Sequence, residues 1–148
     1  MKILAQTDYY QHILFGDNVA FTQYYDGVEI ELDEMKKLVE LEIEAVNNQP
    51  FCTISDFRDA FGNMSNETKE YLAQNEYVNR LKTLDILIVN SLPLKLLTRG
   101  YLMVFKPKTE TVIISKTQEL FELLRSKKIP KSTIEEIKEY YRRKEGAS

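Results

Sequence analysis

The sequence contains very few of the residues that most often carry metal or redox chemistry. Its 148 residues include one cysteine, Cys52, one histidine, His12, and no tryptophan. A single thiol cannot form an intrachain disulfide, and one cysteine with one histidine cannot supply the four ligands of a structural zinc site. We therefore expect neither a metal site nor a cofactor.

An excess of positive charge is also absent. The formal net charge is −3, so the chain lacks the basic field that attracts a phosphate backbone, and we expect no nucleic-acid partner. Residues 1–5 hold one lysine and only a very short apolar run, unlike a signal peptide. Polar and charged residues interrupt the apolar stretch 86–105, which excludes a membrane span. These features predict a cytoplasmic protein.

Glycine and proline are scarce as well, with five and four residues, whereas there are nine tyrosines and seven phenylalanines. Such a composition can bury enough apolar surface to offset the conformational entropy of the chain. The length suits a single globular domain around one core. We therefore predict an ordered domain over residues 1–129, with an appended C-terminal helix and tail over residues 130–148.

The N-terminal part has the pattern of β-strands. Residues 9–15 and 19–25 are rich in aromatic and β-branched side chains and flank Gly16-Asp17-Asn18, which predicts a β-hairpin. Residues 1–5 could add an edge strand. His12, in the middle of the hairpin, is expected on the strand surface.

The rest of the chain alternates amphipathic helices with short apolar strands. Helices are predicted over residues 32–46, 66–74 and 94–105. A fourth helix is predicted from about residue 115 to about residue 126, and a final helix is predicted after Pro130. Ser115 with Gln118, and Ser132 with Glu135, have the spacing of capping boxes for the last two helices. Strands are predicted over residues 51–55, 84–89 and 111–115. This order requires right-handed crossovers, and hence an α/β fold with a mixed, mostly parallel sheet.

Several short segments resemble small bacterial STAS/SEC14-type proteins of the SpoIIAA-like fold. They are the acidic run 26–34 before the first helix, the strand segment Thr53-Ile54-Ser55-Asp56, the helix 65–73, and the apolar helix 97–107 that ends in Lys-Pro. The resemblance implies a regulatory or protein-interaction module that binds a partner protein or a second copy. We expect it to be non-enzymatic, because the sequence supplies no activated nucleophile and no tuned pair of acid and base. The SEC14 side of the family implies instead a carrier or sensor of a lipid-like apolar molecule.

Ser65 is the candidate phosphoacceptor that this resemblance implies. STAS antagonists of anti-sigma factors are phosphorylated on a serine at the start of the helix after the central strand. Here only Ser65 matches, because the loop reads Phe61-Gly62-Asn63-Met64-Ser65-Asn66-Glu67 in place of an Asp-Ser-Ser-Gly-like run. Capping of the following helix also explains a serine at position 65, and we favour this interpretation over phosphorylation.

Asp56, Arg58 and Asp59 follow the central strand, at the sheet edge where open α/β folds place ligand crevices. Two acids and a base in this position could bind a ligand or catalyse a reaction. Loop hydrogen bonding and an exposed ion pair are the simpler explanation. A receiver-type phosphoacceptor at Asp56 would need further acids to hold magnesium, and the sequence does not provide them.

The helix predicted over residues 94–105 is more apolar than packing on a sheet requires. Core packing on two sides would account for this; the functional alternatives are a homodimer interface, which we prefer of the two, and an apolar ligand cleft. The side chains concerned are Leu94, Leu97, Tyr101, Leu102 and Phe105. Cys52, inside a strand, is expected to be a buried small apolar residue.

Overall fold

A computed structural model describes residues 1–60 and 63–146, with only the backbone of Asn63. The strands are β1 (Lys2–Gln6), β2 (Tyr10–Phe15), β3 (Val19–Tyr24), β4 (Glu29–Ile30), β5 (Phe51–Asp56), β6 (Asn63–Met64), β7 (Lys82–Ile88) and β8 (Thr111–Ile114). The helices are α1 (Leu32–Ala45), α2 (Asn66–Gln74), α3 (Glu76–Leu81), α4 (Leu92–Phe105), α5 (Thr117–Ser126) and α6 (Lys131–Gly146).

Six strands form the main sheet, in the order β1-β2-β3-β5-β7-β8. The first three are antiparallel neighbours, and β3, β5, β7 and β8 are parallel. The predicted mixed, mostly parallel sheet with an N-terminal hairpin is confirmed, and so is the edge strand near the N-terminus. The short strands β4 and β6, which pair with each other, and helix α3 were not predicted.

The hairpin turn depends on Gly16, whose φ of 57° is a left-handed conformation that favours glycine. A Cβ atom added at this position would collide with the side chain of Thr133 on α6. Glycine is therefore needed at position 16 for two reasons: it adopts the left-handed conformation readily, and it leaves room for the side chain of Thr133.

Helices cover both faces of the main sheet. The chain passes from β3 to β5, then to β7 and then to β8, each time moving to the next strand in the same direction across the sheet. Because such crossovers are right-handed, α1, α2 and α4 lie on the same face. Helices α5 and α6 follow the last strand and cover the other face. The sheet thus separates two apolar clusters, one against α1 and one against α5 and α6.

Helix α6 contributes Ile134, Ile137 and Tyr141 to the same apolar cluster as Phe21 and Ile86 of the sheet. The rings of Phe21 and Tyr141 contact each other edge to face at 5.9 Å. The predicted division at residue 130 stays a prediction, although the helix beyond it packs directly on the sheet.

Both predicted capping boxes are wrong. The N-cap of α5 is Lys116 rather than Ser115, and within the described chain no side-chain hydrogen bond caps it. Helix α6 begins at Lys131, and its Ile134 amide donates to the carbonyl of Pro130 at 3.1 Å. A capping-box motif of four residues is a weak indicator of where a helix begins. Here the end of β8 and the position of Pro130 decide where the two helices begin.

Candidate functional site

A cavity of about 220 Å³ lies between α4 and the sheet. On the α4 side it is lined by Leu94, Leu97, Thr98 and Tyr101, while every residue of α4 stays at least partly exposed to solvent. Three of the five residues predicted as an apolar surface therefore face the cavity. The other two, Leu102 and Phe105, are not among the described residues that line it.

The walls of the cavity are mainly apolar. Helix α1 contributes Met35 and Val39, and α2 contributes Leu72. The remaining apolar wall comes from the segments after β3 and β5 and from the sheet: Val28, Ile30, Ile54, Phe57, Ala60, Met64, Leu87 and Val89. An apolar solute would find a continuous low-polarity surface here.

The floor of the cavity is a row of polar side chains on the central strands. Thr53 of β5 and Asp85 of β7 are register partners, and the Thr53 hydroxyl donates to Asp85 Oδ1 at 2.9 Å. Lys82 Nζ lies 3.6 Å from Asp85 Oδ2, with the two side chains only 7% and 18% exposed. Thr22 and Ser55, which are register partners on β3 and β5, extend the row. Opposite charges and hydroxyl groups thus offset one another on the floor.

His12 lies behind this floor and is 1% exposed, so its predicted place on the strand surface is wrong. Its Nδ1 is 2.7 Å from Thr22 Oγ1, and its Nε2 is 3.2 Å from Glu42 Oε1 of α1. The second contact lacks hydrogen-bond geometry, and Nε2 has no hydrogen-bond partner among the described residues. His12 is buried because it shares a strand face with Tyr10 and Leu14, which α1 covers.

Two tyrosines complete the lining and remain protonated at neutral pH. Burial, and then the charges of Glu42 and Asp85, raise the pKa of Tyr24 far above its usual value. Burial, and then the charge of Asp85, do the same for the pKa of Tyr101. Both hydroxyl groups are therefore neutral groups that can donate a hydrogen bond to a molecule in the cavity.

Ser65 is the N-cap of α2, as the capping interpretation predicts. Its Oγ accepts from the Thr68 amide at 3.2 Å and lies 2.7 Å from Thr68 Oγ1. The Thr68 hydroxyl in turn donates to the carbonyl of Ile30 at 3.3 Å. Phe61 and Gly62, which belong to the predicted phosphoacceptor loop, lie outside the described residues. Phosphorylation of Ser65 stays a prediction.

Asp56, Arg58 and Asp59 hold the end of β5 against α5 and α6. The fully buried Asp56 accepts hydrogen bonds from the Arg58 backbone and guanidinium and from the Tyr141 hydroxyl, at 2.8 to 3.1 Å. Arg58 also donates to Thr117 Oγ1, and Asp59 pairs with Lys144.

Burial would raise the pKa of Asp56, but the hydrogen bonds and charge of Arg58 hold it below its usual value. None of Asp56, Arg58 and Asp59 is among the described residues that line the cavity, since this network faces the opposite side of the sheet. As a ligand crevice, the trio stays an untested prediction.

Sequence reasoning missed the polar residues of the cavity, among them Thr22, Glu42, Thr53, Lys82 and Asp85. A usable signal was present, because Lys82 and Asp85 interrupt an otherwise apolar strand and such charges are seldom buried without partners. Glu42 carried no signal, since it belongs to an acidic helix.

Residues 1–60 and 63–146 contain neither a cluster of metal ligands nor a membrane-spanning helix. In that part of the chain no three His, Cys, Asp or Glu side chains gather as a metal ion would require. No helix there combines the length and apolar character needed to cross a membrane.

Comparison with known proteins gives a family and a fold. The model of the family described as "Domain of unknown function (DUF7793)" matches residues 13–128. No match was found among curated proteins. A similar solved structure is an uncharacterised protein of the DUF3478 family with a SpoIIAA-like fold from Shewanella loihica PV-4. It is 11% identical, the alignment covers 78% of this chain and 91% of that one, and the TM-score is 0.55.

The family model matches most of the chain, and the alignment with the solved structure of SpoIIAA-like fold also covers most of it. The chain therefore belongs to the family of domains of unknown function DUF7793, and its fold is SpoIIAA-like.

Proposed function

We propose that this protein is a non-enzymatic binding module that takes up a small apolar molecule beneath α4, as a carrier or a sensor. The observation that supports the proposal is the cavity itself, with apolar walls, a polar floor and a roof made by one partly exposed helix. Such a site can bury the body of a ligand while its polar end meets the hydroxyl and charged groups of the floor.

The size of the cavity limits the ligand. A volume of 220 Å³ corresponds to about seven water molecules in the liquid, and it is below the range common for drug-sized ligands. A molecule of roughly eight methylene groups, or one aromatic ring system, would fill it. Each buried methylene contributes about 0.8 kcal/mol, so a ligand of this size gains useful affinity from burial alone.

A binding role is favoured over catalysis because the charged groups of the floor are already engaged with one another. Asp85 contacts Lys82 at 3.6 Å and accepts a hydrogen bond from the Thr53 hydroxyl. A general base must reach the substrate proton with a free lone pair and a suitable pKa. Groups held in this way are better suited to orienting a ligand.

The regulatory and self-association roles implied by the STAS resemblance stay predictions. The similar solved structure is itself described as uncharacterised, so the shared fold does not choose among roles. A phosphate on Ser65 would replace the hydroxyl hydrogen, so Ser65 could no longer donate to Thr68 Oγ1, whereas its oxygen could still accept from the Thr68 amide.

The proposal is tested with N-phenyl-1-naphthylamine, a dye whose fluorescence rises in apolar sites. Thr98 faces the cavity, whereas Val104, of nearly the same shape, is 73% exposed and is not among the described residues that line the cavity. We expect Thr98→Phe to fill the cavity and weaken dye binding about tenfold or more, a loss of roughly 1.4 kcal/mol. The matched control Val104→Phe should bind like the wild type.

Native mass spectrometry of the protein purified from its own cells would add the mass of any retained ligand. Thermal unfolding of both variants shows whether each is folded. Wild-type protein that binds no dye, or equal binding by the two folded variants, would contradict the proposal.

A further inference from the structure

Helix α4 has an outer face that is apolar and uncovered. Leu92, Leu96 and Met103 recur at spacings of four and seven residues, so they form one stripe, and they are 68%, 58% and 75% exposed. Leu97, which also lines the cavity, and Val104 lie on a flank of the helix between the stripe and the cavity, and they are 65% and 73% exposed. Half of the exposed large apolar side chains found in the described residues therefore lie on this one helix. A contiguous patch of this kind indicates an interaction surface.

The charges around this face have one sign. Residues 86–109 include no aspartate or glutamate, although the whole chain carries a net charge of −3. They include four cations: Lys95, Arg99, Lys106 and Lys108. On a helical projection Arg99 falls next to the stripe of Leu92, Leu96 and Met103, with Lys95 at its edge.

These cations are largely unneutralised by the protein. Among the described residues no ion pair is found for Lys95, Arg99 or Lys106, and Lys108 makes only an exposed contact with Glu76 at 3.8 Å. The outer face of α4 is thus an apolar strip bordered by free positive charge, in a protein that is otherwise acidic.

We propose that the outer face of α4 docks on an anionic lipid surface. A helix that lies in a membrane interface buries its apolar face among the acyl chains and keeps lysines and arginines at the headgroup level. Each cation near an anionic leaflet strengthens binding, and the effect declines as salt screens it. This surface does not depend on the cavity ligand, because the stripe residues point away from the cavity.

A second copy of the chain fits the same face less well. A two-fold interface would bring the stripe of each copy, with its Arg99 and Lys95, against the same residues of the other. Like charges facing across an interface oppose association, and α4 offers no acidic residue to compensate. An anionic lipid surface satisfies the apolar strip and the cations together.

Co-sedimentation with phosphatidylcholine vesicles, with and without phosphatidylglycerol, tests the proposal. We expect the full-length protein to bind the anionic vesicles and to bind less as NaCl rises. The double variant Leu96→Asp with Met103→Asp should lose vesicle binding, whereas Leu41→Asp, on the exposed part of α1, should retain it. Thermal unfolding checks that the double variant is folded, and dye binding in the cavity, measured separately, distinguishes this result from the proposed function.

The charge contribution has its own matched pair. Replacing Lys95 and Arg99 by glutamine should weaken binding to anionic vesicles about fivefold for each cation. The same replacements at Arg142 and Arg143, two exposed cations on α6, should change it less than twofold.

The proposal is overturned if neutral vesicles bind the protein as well as anionic ones do. It is also overturned if neither vesicle binds the protein. If sedimentation then shows a dimer that Leu96→Asp with Met103→Asp disrupts, a second copy is the occupant of this face. Binding to both vesicle types by the wild type and all variants alike would be equally contrary to it.

Discussion

At the scale of single residues, burial separates side chains that look alike in the sequence. Asp56 and Asp59 both follow β5, yet Asp56 is fully buried with several donors and Asp59 is half exposed with Lys144 as its partner. His12 is polar and yet buried, because α1 covers the strand face that it shares with Tyr10 and Leu14. The chemistry of each residue follows from these surroundings.

Asp56→Asn should destabilise the protein by about 3 kcal/mol, because it leaves the largely buried Arg58 guanidinium without its carboxylate. The matched variant Asp59→Asn removes a half-exposed pair and should cost less than about 1 kcal/mol. Urea unfolding followed by circular dichroism measures both. Equal losses for the two variants would contradict the buried network.

The same carboxyl group makes stability depend on pH. Burial opposes the charged form of Asp56, but the hydrogen bonds and charge of Arg58 outweigh it, so the pKa is lower in the folded protein. A group of this kind stabilises the fold above its unfolded pKa of about 3.9, and the contribution is lost as pH falls through the folded value. We expect the free energy of unfolding to drop below about pH 4 more steeply in the wild type than in Asp56→Asn.

Cys52 should be unreactive in the folded protein. Burial, and then the charge of Asp85, raise the pKa of its thiol to about 12, so almost no thiolate exists at neutral pH. Ellman's reagent should label one thiol per chain in urea and label the native protein only as fast as it unfolds. An exposed thiol introduced as Ser126→Cys provides the control and should react at once.

At the scale of elements, the backbone conformation of two glycines allows a matched test. Gly16 has a φ of 57° and no space for a Cβ beside Thr133, whereas a Cβ at Gly100 of α4 would meet nothing within 4 Å. Gly16→Ala should destabilise the hairpin by more than about 1 kcal/mol. Gly100→Ala should stabilise the helix by roughly 0.5–1 kcal/mol. Thermal unfolding that shifts in the same direction for both would be inconsistent with this account.

The elements also show which sequence patterns carry reliable information. Apolar runs near residues 51, 84 and 111 predict β5, β7 and β8 because most side chains of these strands are apolar, although Thr53, Ser55 and Asp85 form part of the polar floor of the cavity. The capping boxes predicted at Ser115 and Ser132 were wrong, because a motif of a few residues does not determine where the chain leaves a strand or a turn and begins a helix. Long periodic segments are predicted well, and their ends less so.

At the scale of the whole molecule, α6 joins the core from the far end of the chain. Residues 1–129 alone would leave Phe15, Phe21 and Ile86 exposed where Ile134, Ile137 and Tyr141 now pack. We expect this truncated chain to lose cooperative thermal unfolding, because several fully buried side chains contribute about 1.5–3 kcal/mol each. A truncated protein with a sharp transition and native-like circular dichroism would instead support an independent domain that ends at residue 129.

The whole molecule also decides the site. Sequence reasoning identified α4 and three of its inward residues, since an excess of apolar side chains on one helix is visible without coordinates. It missed the polar floor, because Thr22, Glu42 and Asp85 come from β3, α1 and β7 and meet only when the strands are in register.

The sequence by itself determined the α/β class, the mostly parallel sheet with its hairpin, and the apolar character of α4. These follow from local periodicity and turn chemistry, which act between residues close together in the chain. Only the tertiary structure decided that His12 is buried, that Asp56 accepts a hydrogen bond from Tyr141 of α6, and that a cavity lies beneath α4. Those features depend on which elements become neighbours, and contacts between distant segments are set by packing and register.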